Sequence, residues 1–107
     1  MGLPVEQLLV LMFDDEGHYL EELTISSGLK ALIRGRYREI VQAALAVGAR
    51  HLLLAHNHPS HSAKPSRADI KFTRNLMLIC AALEIAIIDH LIIAGPWVTS
   101  MRKADLL

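Results

Sequence analysis

The sequence predicts a single α/β domain over residues 1–107, built on a mixed β-sheet with helices packed against it. A length of 107 residues is enough for one domain and too short for two. Hydrophobic residues make up 52% of the chain, which is enough to form a core and argues against disorder. Apolar runs of strand length alternate with segments of helical periodicity, in the order β-β-α-β-α-β-β.

The first part of the chain predicts a hairpin followed by a helix. Leu8–Phe13 is a continuous apolar run of strand length, and turn residues at 14–17 come directly after it. Tyr19–Ile25 is therefore expected to return as the second strand. Apolar residues at helical spacing over 37–45 predict a helix, and Gly48 stands where a helix C-cap glycine belongs.

The middle of the chain predicts a buried strand, a loop and a second helix. The interior of His51–His56 is apolar without polar alternation, which predicts a strand covered on both faces. Residues 57–65 are rich in Pro, Ser and His and predict a polar loop. Ser66 then opens a helix that is expected to reach about Leu83.

The end of the chain predicts two more strands. Ile85–Ile88 and Leu91–Ala94 read as one strand that carries Asp89 and His90 in its middle, and Trp97–Ser100 reads as a short last strand. The Asp-His pair has two interpretations. It could orient a metal-ligating histidine, as carboxylates often do. A structural hydrogen bond at a strand kink is the interpretation we favour.

Charge and cysteine content limit the class of protein. Eleven basic and eleven acidic residues cancel, which argues against nucleic acid as the main partner. The single cysteine, Cys80, cannot form an internal disulfide, so nothing indicates a secreted, disulfide-linked fold. The apolar run Leu76–Leu83 is much shorter than the ~18 residues that a membrane span needs. The N-terminus also lacks the pattern of a signal peptide, and we expect a cytoplasmic protein without a membrane segment.

Two histidines at the end of the buried strand form a candidate metal site. His56 and His58 are two residues apart, so in strand geometry both imidazoles project to the same side. Asp69 lies at the N-terminal end of the core-facing stripe of the second helix. A carboxylate buried there costs several kcal/mol unless something pairs with it. A metal ion held by the two histidines would be that partner.

The type of ligands indicates zinc, although a simpler interpretation competes. Two neutral imidazoles and a carboxylate leave the fourth tetrahedral position for water, as in catalytic zinc sites. Such a water has a pKa near ~7. However, Ser66 and Asp69 also fit a helix capping box, and Asp near a helix N-terminus is favourable by about 0.5 kcal/mol. Spacing alone leaves both interpretations open.

The same residues resemble the signature of a known family. His56-Asn57-His58-Pro59-Ser60, with Pro65-Ser66 and Asp69 after it, is similar to the signature of the RadC family, a branch of the JAMM (MPN-type) metal-dependent hydrolases. The JAMM pattern is Glu, then His-x-His, ten residues and Asp, and ten residues (59–68) separate the second histidine from the aspartate here. The resemblance covers nearly the whole chain. Further similar segments are Leu8–Asp14, Arg38–Ile40, Gly48–Ala49, Asp89–Ile93 and Val98–Ser100.

The resemblance implies a fold and a ligand set. The implied fold is a cytidine-deaminase-like α/β/α sandwich with a mixed sheet. The implied cofactor is Zn²⁺, bound by His56, His58 and Asp69. The implied activity is that of a metallopeptidase or isopeptidase that hydrolyses an amide bond in a peptide, isopeptide or similar substrate.

The resemblance also implies two catalytic residues. A glutamate upstream acts as general acid and base on the zinc-bound water, and Glu6, just before the first strand, fits this place. Glu21 and Glu22 are the competitors. Ser66 matches the serine that helps to stabilise the oxyanion, and we expect this role to compete with helix capping for its hydroxyl.

The sequence departs from the family in several places. After the proline, the loop reads Ser-His-Ser where the family has Ser-Gly-Asp. His61 could crowd the site, add a ligand or be a solvated loop residue. We favour the solvated loop residue. Glu84 and Asp105 stand where glycine is common, so local turn geometry there is uncertain from sequence. The chain also lacks the N-terminal helical region of full RadC proteins, which indicates a short homologue or a fragment. The arginines at 34, 36 and 38 could contact an acidic partner, but a solvated helix face is the preferred interpretation.

Two other function classes compete with an amide hydrolase. A nucleic-acid-binding role follows only from the association of RadC proteins with DNA repair, and fold does not fix function. A non-catalytic MPN interaction module typically lacks the metal ligands, which this chain keeps. A nucleobase deaminase is excluded because no Pro-Cys-x-x-Cys segment is present. An exposed sheet edge could also pair two chains into a homodimer.

Overall fold

The computed structural model describes residues 6–27, 36–59 and 62–107, and it shows a five-stranded mixed sheet with two helices. The predicted α/β class and the predicted order of elements are confirmed. In chain order the elements are β1 (Glu6–Phe13), β2 (Tyr19–Ser27), α1 (Tyr37–Val47), β3 (His51–Asn57), α2 (Arg67–Ala82), β4 (Ala86–Ala94) and β5 (Trp97–Ser100).

The strand order β2-β1-β3-β4-β5 brings the start of β1 beside the end of β3. These two strands are antiparallel, with Leu8 opposite His56. β3 and β4 are parallel, and the crossover between them carries α2, as a parallel pair requires. The first turn of α2 therefore follows the same end of the sheet at which β1 begins.

One face of the sheet is covered by both helices. Alternate residues of β1 and β3 join residues of α1 and α2 in one buried cluster. Tyr37 of α1 stacks on Phe72 of α2 with ring centroids 5.1 Å apart, which places the two helices on the same face. The buried strand and helix residues of this cluster include Leu8, Val10, Met12, Leu52, Leu54, Ile40, Ala44, Phe72, Leu76 and Cys80.

The other face of the sheet is less covered than the sequence indicated. Along β3, Leu52 and Leu54 are fully buried, whereas Leu53 and Ala55 are only half-buried. The expectation of a strand covered on both faces therefore holds for one face within the described residues, and these residues form two layers. An uninterrupted apolar run shows that both faces are apolar, but it does not show what packs on each.

The two faces of β3 predict a difference in stability between neighbouring substitutions. Leu54→Ala is expected to lower the free energy of unfolding by about 2–5 kcal/mol, because it leaves a cavity in the buried cluster. Leu53→Ala is the matched control and should cost clearly less. Urea denaturation of both variants measures the difference, and equal losses would contradict the assigned faces.

A left-handed backbone occurs at one predicted glycine cap and at two turn positions without glycine. Gly48 caps α1 with a φ of 71°, as predicted. Glu84 and Asp105 each have a φ of 60°, so the turn geometry expected for glycine is retained at both positions. A side chain in this conformation costs about 1–2 kcal/mol, which the surrounding structure must offset.

Other predictions have mixed outcomes. Arg36 forms an ion pair with Glu39 and Arg38 is exposed, which agrees with a solvated helix face. His61, Ser60 and Arg34 lie outside the described residues. Within the parts of the chain that the structure describes, no helix is long and apolar enough to cross a membrane.

Candidate metal centre

Three separate parts of the chain bring candidate site residues together at one end of the sheet. Glu6 is the first residue of β1, and His56 is the last buried residue of β3. The backbone N–H of His58 donates to the carbonyl of Ile93 on β4 at 2.8 Å. This bond continues strand pairing one residue past β3. Because side chains alternate along a strand, it helps to direct both imidazoles to the same side, as predicted.

A continuous series of contacts joins the side chains of four candidate residues, Glu6, His56, Asp69 and His58. His56 Nε2 lies 3.1 Å from Glu6 Oε2, and His56 Nδ1 lies 3.4 Å from Asp69 Oδ1. His58 Nε2 lies 3.0 Å from Asp69 Oδ2. The two imidazole rings stand nearly perpendicular, with centroids 5.1 Å apart. The histidines therefore converge on the carboxylate of Asp69.

These contacts are shielded from solvent. The side chain of His56 is 4% exposed and that of His58 is 11% exposed, while both carboxylates are 10% exposed. Charge interactions are stronger in such a place than at the surface. A cation would meet two imidazoles and two carboxylates with little competing water, which fits the preference of zinc for nitrogen and oxygen ligands.

Glu6 forms a group of candidate metal ligands with the two histidines. Among the described residues, ligand atoms of Glu6, His56 and His58 all lie within 4.8 Å of one another. Asp69 contacts both histidines but does not belong to this group. The structure thus brings together all three predicted ligands and Glu6, and it offers two carboxylates for one ion.

Glu6 is the only one of the three candidate glutamates that lies beside the histidines. Glu21 and Glu22 are exposed on β2, where they pair with Met12 and Leu11 toward the far end of β1. Sequence spacing left the choice among the three glutamates open. The β1–β3 register brings Glu6 close to His56, and the β1–β2 register places Glu21 and Glu22 at the other end of β1.

His58 has the hydrogen bond expected of a metal-binding histidine. Its Nδ1 lies 3.2 Å from the carbonyl oxygen of Ser62, which can only accept. Nδ1 therefore carries a proton and donates to it, and Nε2 is the ring nitrogen that faces the site. A backbone carbonyl that fixes the tautomer in this way is typical of metal-ligating histidines.

Ser66 and Asp69 form the predicted capping box. The hydroxyl of Ser66 accepts from the N–H of Asp69 at 3.0 Å, and Asp69 Oδ2 accepts from the N–H of Ser66 at 2.7 Å. The expected competition between the two roles of Ser66 is not required by this geometry. Capping uses a lone pair of the hydroxyl, which leaves its proton available to donate. For Asp69 too, the capping box is compatible with a role as metal ligand.

Hydrogen bonds keep Asp69 ionised despite its position. Burial raises the pKa of this carboxyl, but the N–H of Ser66 and the charges of His56 and His58 outweigh burial, so the pKa lies below its ordinary value. Metal ligands must be deprotonated. Asp69 meets this requirement at neutral pH.

The lowered pKa of Asp69 predicts a loss of stability in acid. Its pKa in the folded state lies below the unfolded value of about 3.9, so its contribution is complete above that value and is lost as the pH falls through the folded pKa. Asp69→Asn should therefore flatten the pH dependence of unfolding below about pH 4 in protein treated with chelator. Urea denaturation at several pH values measures this, with the exposed Asp105→Asn as control. Parallel curves for Asp69→Asn and the wild type would contradict the assignment.

The Asp89-His90 pair of β4 has two separate sets of contacts, and the sequence analysis missed the contact between His90 and Thr73. Asp89 bonds the hydroxyl of Ser100 and the N–H of Arg102, which agrees with the favoured structural interpretation. His90 instead faces the covered side, 1% exposed, with its ring centroid 5.7 Å from that of His56. Burial first, and then the charge of His56, lowers the pKa of His90 to about 4, so the ring is neutral. Its Nδ1 contacts the hydroxyl of Thr73.

Comparisons with known proteins agree with this architecture. A family model described as a RadC-like JAB domain matches residues 1–106. The UPF0758 protein Bpet3149 of Bordetella petrii is 43% identical over 103 residues, which are 96% of this chain and 46% of that protein. The chain thus spans about half the length of the curated relative it matches. With nearly every residue inside the family match, the chain belongs to the RadC-like JAB domain family.

Proposed function

We propose that the chain is a zinc-dependent hydrolase of the JAMM type that cleaves an amide bond, with His56, His58 and Asp69 as the metal ligands. The observation that carries this proposal is the shielded series of contacts between two imidazoles and two carboxylates at the end of the sheet. Imidazole and carboxylate ligands in this combination are typical of catalytic zinc sites.

Asp69 is better suited than Glu6 to be the third ligand. Its carboxylate touches both imidazoles, whereas Glu6 touches only His56. The N–H of Ser66 fixes the Asp69 carboxylate, and its lowered pKa keeps it ionised. A ligand that is held and deprotonated before the metal arrives binds with less reorganisation.

This assignment leaves Glu6 for proton transfer. A zinc ion held by His56, His58 and Asp69 would supply a water with a pKa lowered to about 7 and would polarise the substrate carbonyl. Glu6, beside His56, would take a proton from the attacking water on its carboxylate and deliver it to the leaving nitrogen as the amide bond breaks. The hydroxyl of Ser66, with its proton available, donates to the oxygen on which negative charge develops.

The family and this chemistry support an amide substrate. We propose a peptide or isopeptide, because the same glutamate can serve as base for water and as acid for an amine. A DNA affinity that falls steeply with salt would favour nucleic acid over an amide substrate.

Elemental analysis of protein purified without chelator tests the metal site. We expect about one zinc per chain, as in mononuclear zinc hydrolases. Asp69→Asn should lose the metal and Glu6→Gln should keep it. The opposite result would exchange the roles of the two carboxylates. A folded wild type that stays metal-free after dialysis against zinc would refute the proposal, and a metal-loaded protein without turnover on peptides and isopeptides would indicate an interaction module.

A further inference from the structure

A buried pair of polar side chains lies next to the site and has no role in the proposed mechanism. Thr73 on α2 is 0% exposed, and His90 on β4 is 1% exposed. The hydroxyl of Thr73 lies 2.8 Å from the backbone carbonyl oxygen of Asp69 and 2.6 Å from Nδ1 of His90. The pair therefore links β4 to the turn of α2 that carries Asp69.

The direction of these hydrogen bonds is fixed by their donors and acceptors. The carbonyl of Asp69 can only accept, so the single hydroxyl proton of Thr73 is donated to it. Thr73 must then accept from His90, whose Nδ1 carries the proton. Donation runs from His90 to Thr73 and from Thr73 to Asp69. In the neutral ring, Nε2 of His90 is left with a bare lone pair.

Packing alone does not account for this buried polar pair. Among the residues that the structure describes, Nε2 of His90 is a buried side-chain atom without a hydrogen-bond partner. A buried polar atom in this condition is destabilising, and two apolar side chains of similar shape would fill the space with less cost. The ring also lies against His56, at a centroid distance of 5.7 Å. The pair thus contacts the residues of the metal centre at two points.

We propose that Thr73 and His90 are positioning residues of the metal centre. Their two hydrogen bonds form a relay from His90 through Thr73 to the backbone of Asp69. This relay fixes the first turn of α2, and with it the carboxylate of Asp69, relative to β4 and to His56 on the neighbouring strand. The inference rests on the proposed metal site. Outer residues that hold ligands in place typically change metal affinity by about 10–100-fold when they are removed.

Zinc affinity, measured by competition with a chromophoric chelator, tests the relay at Thr73. Thr73→Val keeps the shape of the side chain and removes the hydroxyl, and it should weaken zinc binding by about 10–100-fold. Thr73→Ser keeps the hydroxyl and should bind within a few-fold of the wild type. The visible absorption of the cobalt-substituted protein should change in Thr73→Val and stay unchanged in Thr73→Ser, because it reports ligand geometry.

The same measurement at His90 tests whether the two residues act together. His90→Asn retains an N–H donor near the position of Nδ1 and should preserve most of the affinity, whereas His90→Leu should lose it. The double variant Thr73→Val/His90→Leu should bind zinc no more weakly than the worse single variant, because residues in one relay are not additive. Additive losses would contradict a shared relay.

A matched control separates positioning from general stability. Ile87→Ala removes a buried side chain from the other end of β4, so it should lower the unfolding temperature without changing the zinc affinity of the folded protein. If His90→Leu does not fold, Thr73→Val and Thr73→Ser decide the outcome. Folded Thr73→Val that binds zinc like the wild type would overturn this inference and leave the proposed function intact. A wild type that binds no zinc would overturn both.

Discussion

Glu6→Gln is expected to reduce kcat by about 10²–10⁴-fold while the protein keeps its metal, because this is the usual contribution of a general acid and base. Glutamine preserves the size of the side chain and a polar contact with His56, but it cannot take a proton from water. Turnover of fluorogenic peptide and isopeptide substrates, together with metal content, measures the effect.

Glu22→Gln is the matched control for this prediction. Glu22 is exposed on the edge strand β2 and was a sequence-level competitor for the same role. We expect its turnover to equal that of the wild type. Unchanged turnover in Glu6→Gln would move the base role to another residue, and loss of metal in Glu6→Gln would instead make Glu6 a ligand.

His58→Ala is expected to weaken zinc binding by more than the roughly 100-fold that is typical when a supporting residue is lost. It removes one of the two imidazoles that contact Asp69. Zinc at 100 times its Kd should stabilise the wild type by about 2.7 kcal/mol, or roughly 10–20 °C in Tm for a domain of this size. The variant should show no such shift.

Thermal unfolding with and without zinc measures this difference, and His51→Ala serves as its control. His51 starts the same strand at the end opposite to the site and is half-buried. Its zinc-dependent rise in Tm should match that of the wild type. A full rise in His58→Ala would place the ion elsewhere and remove the basis of the hydrolase proposal.

The elements were predictable from sequence because each depends on local periodicity and turn residues. The structure extends the first two strands and β3 by one or two residues and gives the helices almost the expected bounds. A detail within β4 was not predictable. The β3–β4 register shifts so that Leu52 pairs with Ile87 and Leu53 with Asp89. The extra residue, Ile88, allows His90 to face the core, and single-sequence patterns do not reveal such irregularities.

The candidate site was predictable in part for the same reason. His56 and His58 share a side through the period of a strand, and Asp69 falls on the inner stripe of a helix, so both features are local. The position of Glu6 depends on the pairing of two strands 50 residues apart, which spacing alone does not define. The link between Thr73 and His90 was missed because Asp89 and His90 were treated as a pair. Strand alternation, applied to those neighbours, predicts that they face opposite sides.

The site side chains lie where the covered face of the sheet ends. Removal of a functional group there leaves the row of Val10 and Leu54 intact, so catalytically inactive variants should still fold. Glu6→Gln, loaded with zinc, should then hold an uncleaved target long enough for isolation from a cell extract by affinity capture and its identification by mass spectrometry. Because the proposed active site lies at the rim of the core, the inactive variant is suited to the capture of the proposed amide substrate.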